Sequence, residues 1–377
     1  MDTSTKKILE LLRRLSWYWD YFFFLVSRIF FYRKKFPSSF QHILVIELDK
    51  IGDVIVTTPT IRALHLHYNA LVDVMVQPNV QETLVGNPHV HNILPYGRKE
   101  IHENYKQIVE EIRGKYDLAV LLHPGSREVS KLLKDAGIPY RVGCTKPMFF
   151  GGKGFYLHRK TKPTFTIKHK IHDNLDVIKT TLGINAQDDF YEVHVTSEAI
   201  SFIQSILSHS NIKKPYVVIH VAPEYVSHCW NTERFAQVAD TIIERYDVAV
   251  VFSGDSKDKD YNQEVIDQMH YPAHNLAGAT SIQQFFAIIK GSSFVISIDT
   301  SAMHIAAALK IPVVALFGEG YPKVWRPYAE NSAVIFKEEG KCKNCSRWLG
   351  SDKVKHSCMD IIQVEEVLDA ISTLWKH

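Results

Sequence analysis

Short apolar runs bounded by polar turns alternate along this chain with longer stretches of helical spacing. Ile43 to Ile46, L-V-D-V-M-V and Asp117 to Leu122 read as strands, with a short apolar piece at Asn92 to Tyr96. Helical stretches follow the loop containing Gly52, run from Tyr105 to Gly114, and close at Gly137; another spans His172 to Leu182. A second series begins with the strands Tyr216 to His220 and Val248 to Phe252. Its helices are Asn231 to Tyr246, Asp260 to Met269, Ile282 to Ile289 and, last, Val364 to Trp375. Strands alternating with helices predict an α/β fold with mostly parallel, doubly wound sheets. Residues 151–170, rich in Lys, Gly and Thr without a clean period, read as a loop. The divisions this implies are 1–40, 41–188, 189–360 and a terminal helix in 361–377.

The most compressed βαβ pattern is F-V-I-S-I-D-T-S-A-M-H-I-A-A-A-L-K-I-P-V-V-A-L-F, Phe294 to Phe317. Asp299, Thr300 and Ser301 fall where its first strand ends and its helix begins. Side chains there can cap the helix, and its free N–H groups suit a phosphate or diphosphate. Ala306 to Ala308 let that helix end pack close to the sheet.

At 377 residues the chain suits two domains. With 46% hydrophobic and 23% charged residues it has the composition of a folded soluble protein, and a net charge of +3 does not argue for nucleic acid. Residues 1–40 differ from the rest, holding eight Lys or Arg against three acids around the aromatic stretch S-W-Y-W-D-Y-F-F-F-L-V-S-R-I-F-F-Y. Spanning a bilayer takes about 20 mostly apolar residues. The uninterrupted run here is only Tyr21 to Val26, and no small-residue cleavage site follows it. The expectation is an amphipathic helix on a membrane surface, with a helix packed on protein as the alternative. Five cysteines, an odd and sparse set, fit a reducing cytosol. Cys342, Cys345, His356 and Cys358 carry ligand types that a structural zinc or iron site uses, although one C-x-x-C with loose partners is a weak signal.

Three loops at predicted strand ends carry candidate chemistry. In Glu47-Leu48-Asp49-Lys50-Ile51-Gly52-Asp53, Gly52 permits a tight turn. Asp53 is either a helix cap or a general base that takes the proton of an attacking hydroxyl. In V-A-P-E-Y-V-S-H-C-W, the strand end followed by Trp230 places polar groups at a cleft, and His220 is either part of that site or a hydrogen-bonded core residue. In S-G-D-S-K-D-K-D, Gly254 makes the turn and Asp258 offers a carboxylate to ribose hydroxyls, or the loop is simply solvated. No G-x-G-x-x-G follows a strand and no G-x-x-x-x-G-K-[ST] occurs, which argues against a dinucleotide dehydrogenase and a P-loop NTPase.

Together, I-L-V-I-x-L-x-x-I-G-D-V-I-V-T-T-P at residues 43–59 and D-T-S-A-M-H-I-A-A-A-L-K-I-P-V-V-A-L-F-G at 299–318, continued by Pro322, Trp325 and Pro327, resemble glycosyltransferase family 9. Its best-known members are heptosyltransferases of lipopolysaccharide core assembly. The resemblance covers about His42 to about Ile362. It implies a GT-B architecture of two Rossmann-like domains facing a cleft, with an acceptor domain first and a nucleotide-sugar domain second. It also implies an inverting, metal-independent transfer with no required cofactor.

Carried over by position, Asp53 is the implied catalytic base, with Asp49, Lys50 and Gly52 in the acceptor loop. Asp299, Thr300, Ser301, Ala302 and His304 are implied to hold the donor diphosphate, and Gly254 and Asp258 the nucleotide ribose. The implied partners are an ADP-heptose-like donor and a saccharide or glycolipid acceptor. Residues 1–40 lie outside the resemblance, and their basic aromatic character is expected to hold the protein peripherally at the cytoplasmic face of the bacterial inner membrane. The chain departs from the family pattern in several places. Ser301-Ala302 replaces a usual Gly-Pro, I-H-V-A-P-E replaces L-H-P-G-A-S, and Glu47 replaces a common Arg. His228-Cys229 stands where a Lys or Arg usually precedes the Trp, which leaves His228 or Arg234 to supply the phosphate cation. A different donor, a protein acceptor, or an inert homologue that only binds nucleotide sugar are the competing expectations.

Overall fold

The computed structural model describes residues 22, 26, 34–122, 127–144, 155–161, 166–212, 215–221, 230–318, 320–337 and 359–375. The chain divides into two compact units, residues 1–189 and 190–377.

The first unit runs β1 (His42–Ile46), α1 (Ile51–Ile55), α2 (Thr58–Tyr68), β2 (Leu71–Val76), β3 (Ile93–Pro95), α3 (Arg98–Glu103) and α4 (Tyr105–Ile112). It continues with β4 (Leu118–Leu121), α5 (Arg127–Asp135), β5 (Tyr140–Gly143), β6 (Arg159–Lys160) and α6 (Lys170–Leu182). Its six-stranded parallel sheet has the order β3-β2-β1-β4-β5-β6. The central strands are buried on both faces, which is why they read as unbroken apolar runs rather than alternating ones. The period of two along β1 sends Ile43 and Val45 into one core layer, with Ile61 and Val177, and Leu44 and Ile46 into the other, with Ile108 and Leu132.

The second unit comprises α7 (Ser197–His209), β7 (Tyr216–His220), α8 (Thr232–Tyr246), β8 (Ala249–Ser253), α9 (Lys259–Ile266), β9 (His274–Asn275) and α10 (Ile282–Gly291). It continues with β10 (Phe294–Ile298), α11 (Ser301–Ala308), β11 (Val313–Phe317), α12 (Pro322–Trp325), β12 (Ser332–Phe336) and α13 (Val364–Leu374). The sheet order is β12-β11-β10-β7-β8-β9, again all parallel. The terminal helix α13 packs Val367 and Ile371 into the core of this unit, beside Phe235 and Phe294.

Both units therefore have the doubly wound architecture that the alternation predicts. In each sheet the strand order reverses once, between β1 and β4 in the first and between β7 and β10 in the second. Ligands of open α/β sheets sit outside the carboxyl ends of the strands at such reversals. The turn after β1 leads to Asp53 in the first turn of α1, and the turn after β10 carries Asp299.

Some elements differ from the sequence-based expectation. Residues 151–170 do not form one continuous loop, because β6 adds a two-residue edge strand beside β5. That strand, like β9, is too short to show a period. Helix α7 was not expected; Thr196 caps it by accepting from the Ala199 N–H at 3.2 Å, and Ala199, Ile203 and Leu207 form its buried stripe. Serines interleaved with that stripe blunt its amphipathic pattern. Edge strand β12 was also not expected; it is half-buried along its whole length, so it has neither the alternation nor the full burial that marks the others.

Candidate active site

In the first unit β1 ends at Ile46, and Glu47 follows, fully buried, with its N–H donating to the Met75 carbonyl at 3.0 Å. The Gln77 side-chain amide donates to the carbonyls of Leu48 (2.8 Å) and Asp49 (3.3 Å), so the turn is held from β2's side. Arg98 Nη2 donates to Asp49 Oδ1 at 2.9 Å and orients that carboxylate. Helix α1 then starts at Ile51, with Lys50 as its extended N-cap residue and Asp53 in its first turn. Asp53 is thus not the N-cap, which sets aside one of its two readings. Gly52 is not among the residues with positive φ, so it supplies no left-handed turn here and is an ordinary residue of the first helical turn.

Carboxylate oxygens of Glu47, Asp49 and Asp53 lie within 4.8 Å of one another. Burial, and then the charges of Glu47 and Asp49, push the Asp53 carboxyl from its ordinary 3.8 up to about 7, against the opposing pull of Lys170 and a backbone hydrogen bond from Lys50. A carboxylate with that affinity for protons near neutrality is suited to general-base work. Among the described residues this trio is the one group with the geometry to share a cation. The buried ammonium of Lys170 already places positive charge among these groups.

In the second unit, β10 delivers the chain to Asp299 and Thr300, and α11 begins at Ser301. Thr300 is the N-cap residue in extended conformation (φ −139°, ψ 176°), yet its side chain makes no cap bond. Its hydroxyl lies 3.0 Å from Ser297 Oγ instead. Thr300 therefore does not cap the helix with its side chain, and the first-turn N–H groups, which have no intrahelical acceptor, suit an anion. Ser301 is not among the residues with positive φ, so replacing the family's usual Gly costs no backbone strain here. Ala302 and Ala306 are fully buried, which seats the helix on the sheet. Gly320 is required by close approach: a Cβ there would come 2.4 Å from Asp299 Oδ2 and 2.8 Å from Phe317. His304 is buried, with Nδ1 3.1 Å from the Tyr191 hydroxyl and its ring edge-on to Tyr191 and Trp325.

The remaining sequence candidates fall as follows. Asp258 is buried, and its Oδ2 accepts from the Asp255 N–H at 2.7 Å, closing its own turn. Gly254 is not left-handed; its lack of a side chain matters because a Cβ would meet Asp258 Cβ at 2.9 Å. Arg234 gives Nη1 to the carbonyls of Asp360 and Ile362, at 2.5 and 2.6 Å, so that guanidinium group anchors the approach to α13. Trp230 is a core residue rather than a cleft residue: it is 1% exposed, edge-on to Phe235, and donates Nε1–H to the same Ile362 carbonyl. His220 is likewise the core alternative, bonded to Ser253 Oγ at 3.0 Å and held neutral by burial, which lowers its pKa to about 4. His228, Cys229, Cys342, Cys345, His356 and Cys358 lie outside the described residues, as do residues 1–40 apart from Phe22, Val26 and 34–40. Among the described residues no helix is long and apolar enough to cross a membrane.

The family model described as glycosyltransferase family 9 (heptosyltransferase) matches residues 106–353, well over half of the chain. This chain belongs to glycosyltransferase family 9. It is a glycosyltransferase, and the two parallel six-stranded sheets are those of a GT-B enzyme. Lipopolysaccharide heptosyltransferase 3 of Escherichia coli K12 is 28% identical over 304 residues, spanning 74% of this chain and 83% of that protein. The solved structure of E. coli ADP-heptose lipopolysaccharide heptosyltransferase II superposes with a TM-score of 0.72 at 23% identity, over 89% of this chain and 98% of that one. TibC from enterotoxigenic E. coli H10407, an iron-containing dodecameric glycosyltransferase, matches with a TM-score of 0.56 at 15% identity, over 89% of this chain and 76% of that one.

Sequence reasoning overlooked residues that stand behind the family 9 motifs. Lys170, Asn174 and Thr57 back Asp53, and Tyr191 backs His304. No signal in the sequence marked Lys170, which fell in the expected loop before the helix read from His172; in the structure it opens α6, where the macrodipole disfavours a cation and acidic neighbours offset this.

Proposed function

We propose that this enzyme transfers heptose, with inversion and without a metal, from an ADP-heptose-type donor to a lipopolysaccharide core or related envelope saccharide. The observation that carries this reading is Asp53, a carboxylate pushed up to about 7 at the strand-order reversal of the first unit. Asp53 accepts the proton of an acceptor hydroxyl, and that oxygen bonds to the anomeric carbon as the bond to the diphosphate oxygen breaks. A single displacement of this kind inverts the carbon. The diphosphate leaves with the electron pair, and the N–H groups opening α11 beside Asp299, Thr300, Ser301 and Ala302 stabilise its charge. His304, in the first turn of the same helix and held by the Tyr191 hydroxyl, completes this diphosphate site. Asp49, Lys50 and Gly52 border the acceptor, and Gly254 and Asp258 border the nucleotide ribose. The names of the relatives support heptose as the sugar and ADP as the carrier.

A second reading, the same fold with a different donor or with nucleotide-sugar binding alone, is favoured by Arg234, whose Nη1 is engaged by two carbonyls. Calorimetry with a panel of nucleotide sugars, followed by a product assay on the one that binds, separates the readings. Binding of ADP-heptose with transfer to core saccharide supports the first. Tight binding of another nucleotide sugar, or binding without product, rejects it.

The basic aromatic segment in residues 1–40 would hold the enzyme peripherally at the cytoplasmic membrane face, where lipid-linked acceptors are displayed. Deleting residues 1–33 is expected to move the protein from the membrane pellet to the supernatant on fractionation. An unchanged pellet fraction would contradict this anchor.

A further inference from the structure

A chain of buried hydrogen bonds runs behind Asp53. Lys170, the first residue of α6 and 4% exposed, donates from Nζ to Asn174 Oδ1 at 2.7 Å. Asn174, 1% exposed, donates from Nδ2 to Thr57 Oγ1 at 3.1 Å. Thr57, fully buried, donates its hydroxyl to the Asp53 carbonyl at 2.9 Å. Three polar side chains with this burial would be costly in a core unless each were satisfied, and here each satisfies the next. The last link ends on the backbone of the proposed base.

An ammonium at this position is otherwise unfavourable. Burial disfavours its charge, and the first turn of α6 presents the positive end of the helix dipole. Burial alone would push Lys170 down; the charges of Glu47, Cys144, Asp53 and Asp173 reverse that and hold it above its ordinary value. These groups come from the end of β1, the end of β5, α1 and α6 itself, and Asp49 and Lys50 complete the charged set around Asp53.

We propose that Lys170 is a positioning residue for Asp53, bracing its helical turn through Asn174 and Thr57 and supplying the buried positive charge that keeps its carboxylate available to accept a proton. The inference rests on the reading of Asp53 as the base. Its consequence is a balance in which Lys170 draws the Asp53 titration downward while Glu47 pushes it upward.

The test follows the Asp53 carboxyl directly, by carbon NMR of full-length protein labelled at aspartate side chains, with Asp53→Asn identifying the resonance. In Lys170→Met the Asp53 midpoint is expected to move up by about one pH unit or more. In Glu47→Gln it moves down, and in the double variant it returns toward the parent value. Lys170→Arg keeps it near the parent. Thr57→Val leaves the midpoint in place but lowers kcat for transfer from ADP-heptose to core saccharide about tenfold, because the brace is lost and the charge is not. Should Lys170→Met fail to fold, Glu47→Gln and the double variant still decide the matter. A midpoint that stays put when Glu47 or Lys170 is changed overturns the inference. If instead the midpoints move as expected while Asp53→Asn retains full transfer, the base assignment fails and the coupling of Lys170 to Asp53 stands.

Discussion

Asp53→Asn is expected to lower kcat by about 10³-fold while leaving donor binding intact, since a positioned general base contributes roughly 10²–10⁴. The amide keeps the shape of the carboxyl but accepts no proton. The kcat/KM profile of the parent enzyme should rise with pH and level off above about 7, where Asp53 is ionised. In the variant the residual activity should lose that limb. The same substitution should change stability in the opposite sense. The folded protein holds the Asp53 proton to about pH 7, whereas an unfolded chain releases it near 3.8. Ionisation therefore costs folding free energy progressively through that window, fully so above it. At pH 8 the Asn variant should be more stable than the parent by on the order of 1–3 kcal/mol, and near pH 4 the two should melt together. Transfer at the parental rate, or a variant that is less stable at pH 8, would remove Asp53 from the role.

Ser301→Pro is expected to reduce kcat/KM for the nucleotide sugar by about 10²–10³-fold with the fold retained, because losing one preorganised N–H donor has that order of effect. Proline suits the first helical position, where its missing N–H breaks no helical bond. Thr300 before it is already extended, as a residue preceding proline must be. The substitution thus removes one donor from the turn and leaves α11 otherwise undisturbed. Ser301→Gly is the control and should keep full activity, since Ser301 does not adopt positive φ and glycine loses no donor. An unchanged kcat/KM in the proline variant, with the Tm of the parent, would mean that this helix end does not meet the diphosphate.

The two sheets, their parallel pairing and most of their helices were legible in the chain because they follow from local rules. Strands buried on both faces must be unbroken apolar runs, and the helices between them must show a stripe. What lacked a strong period was missed: the two-residue edge strands β6 and β9, the half-buried β12, and α7 with its serine-diluted stripe. The candidate turns were legible for the same reason, since strand ends followed by Gly, Asp or Ser–Thr stand out against apolar runs. Which polar residue of each turn faces inward was not. His220, open between site and core in the sequence, is tied into the body of its unit, as is Trp230, while Arg234 gives one guanidinium nitrogen to the carbonyls of Asp360 and Ile362.

Residue order by itself thus determined that two doubly wound units form and that Asp53 and Ser301 follow strands at the start of helices. Hydrophobic periodicity and strand–turn–helix grammar act over a few neighbours, so they can be read along a line. Tertiary structure alone decided the proton affinity of Asp53. That property depends first on burial, then on Glu47 at the end of one strand, and is opposed by Lys170, more than a hundred residues away at the head of another helix. Electrostatic interactions depend on separation in space and on burial, and neither is a function of distance along the chain.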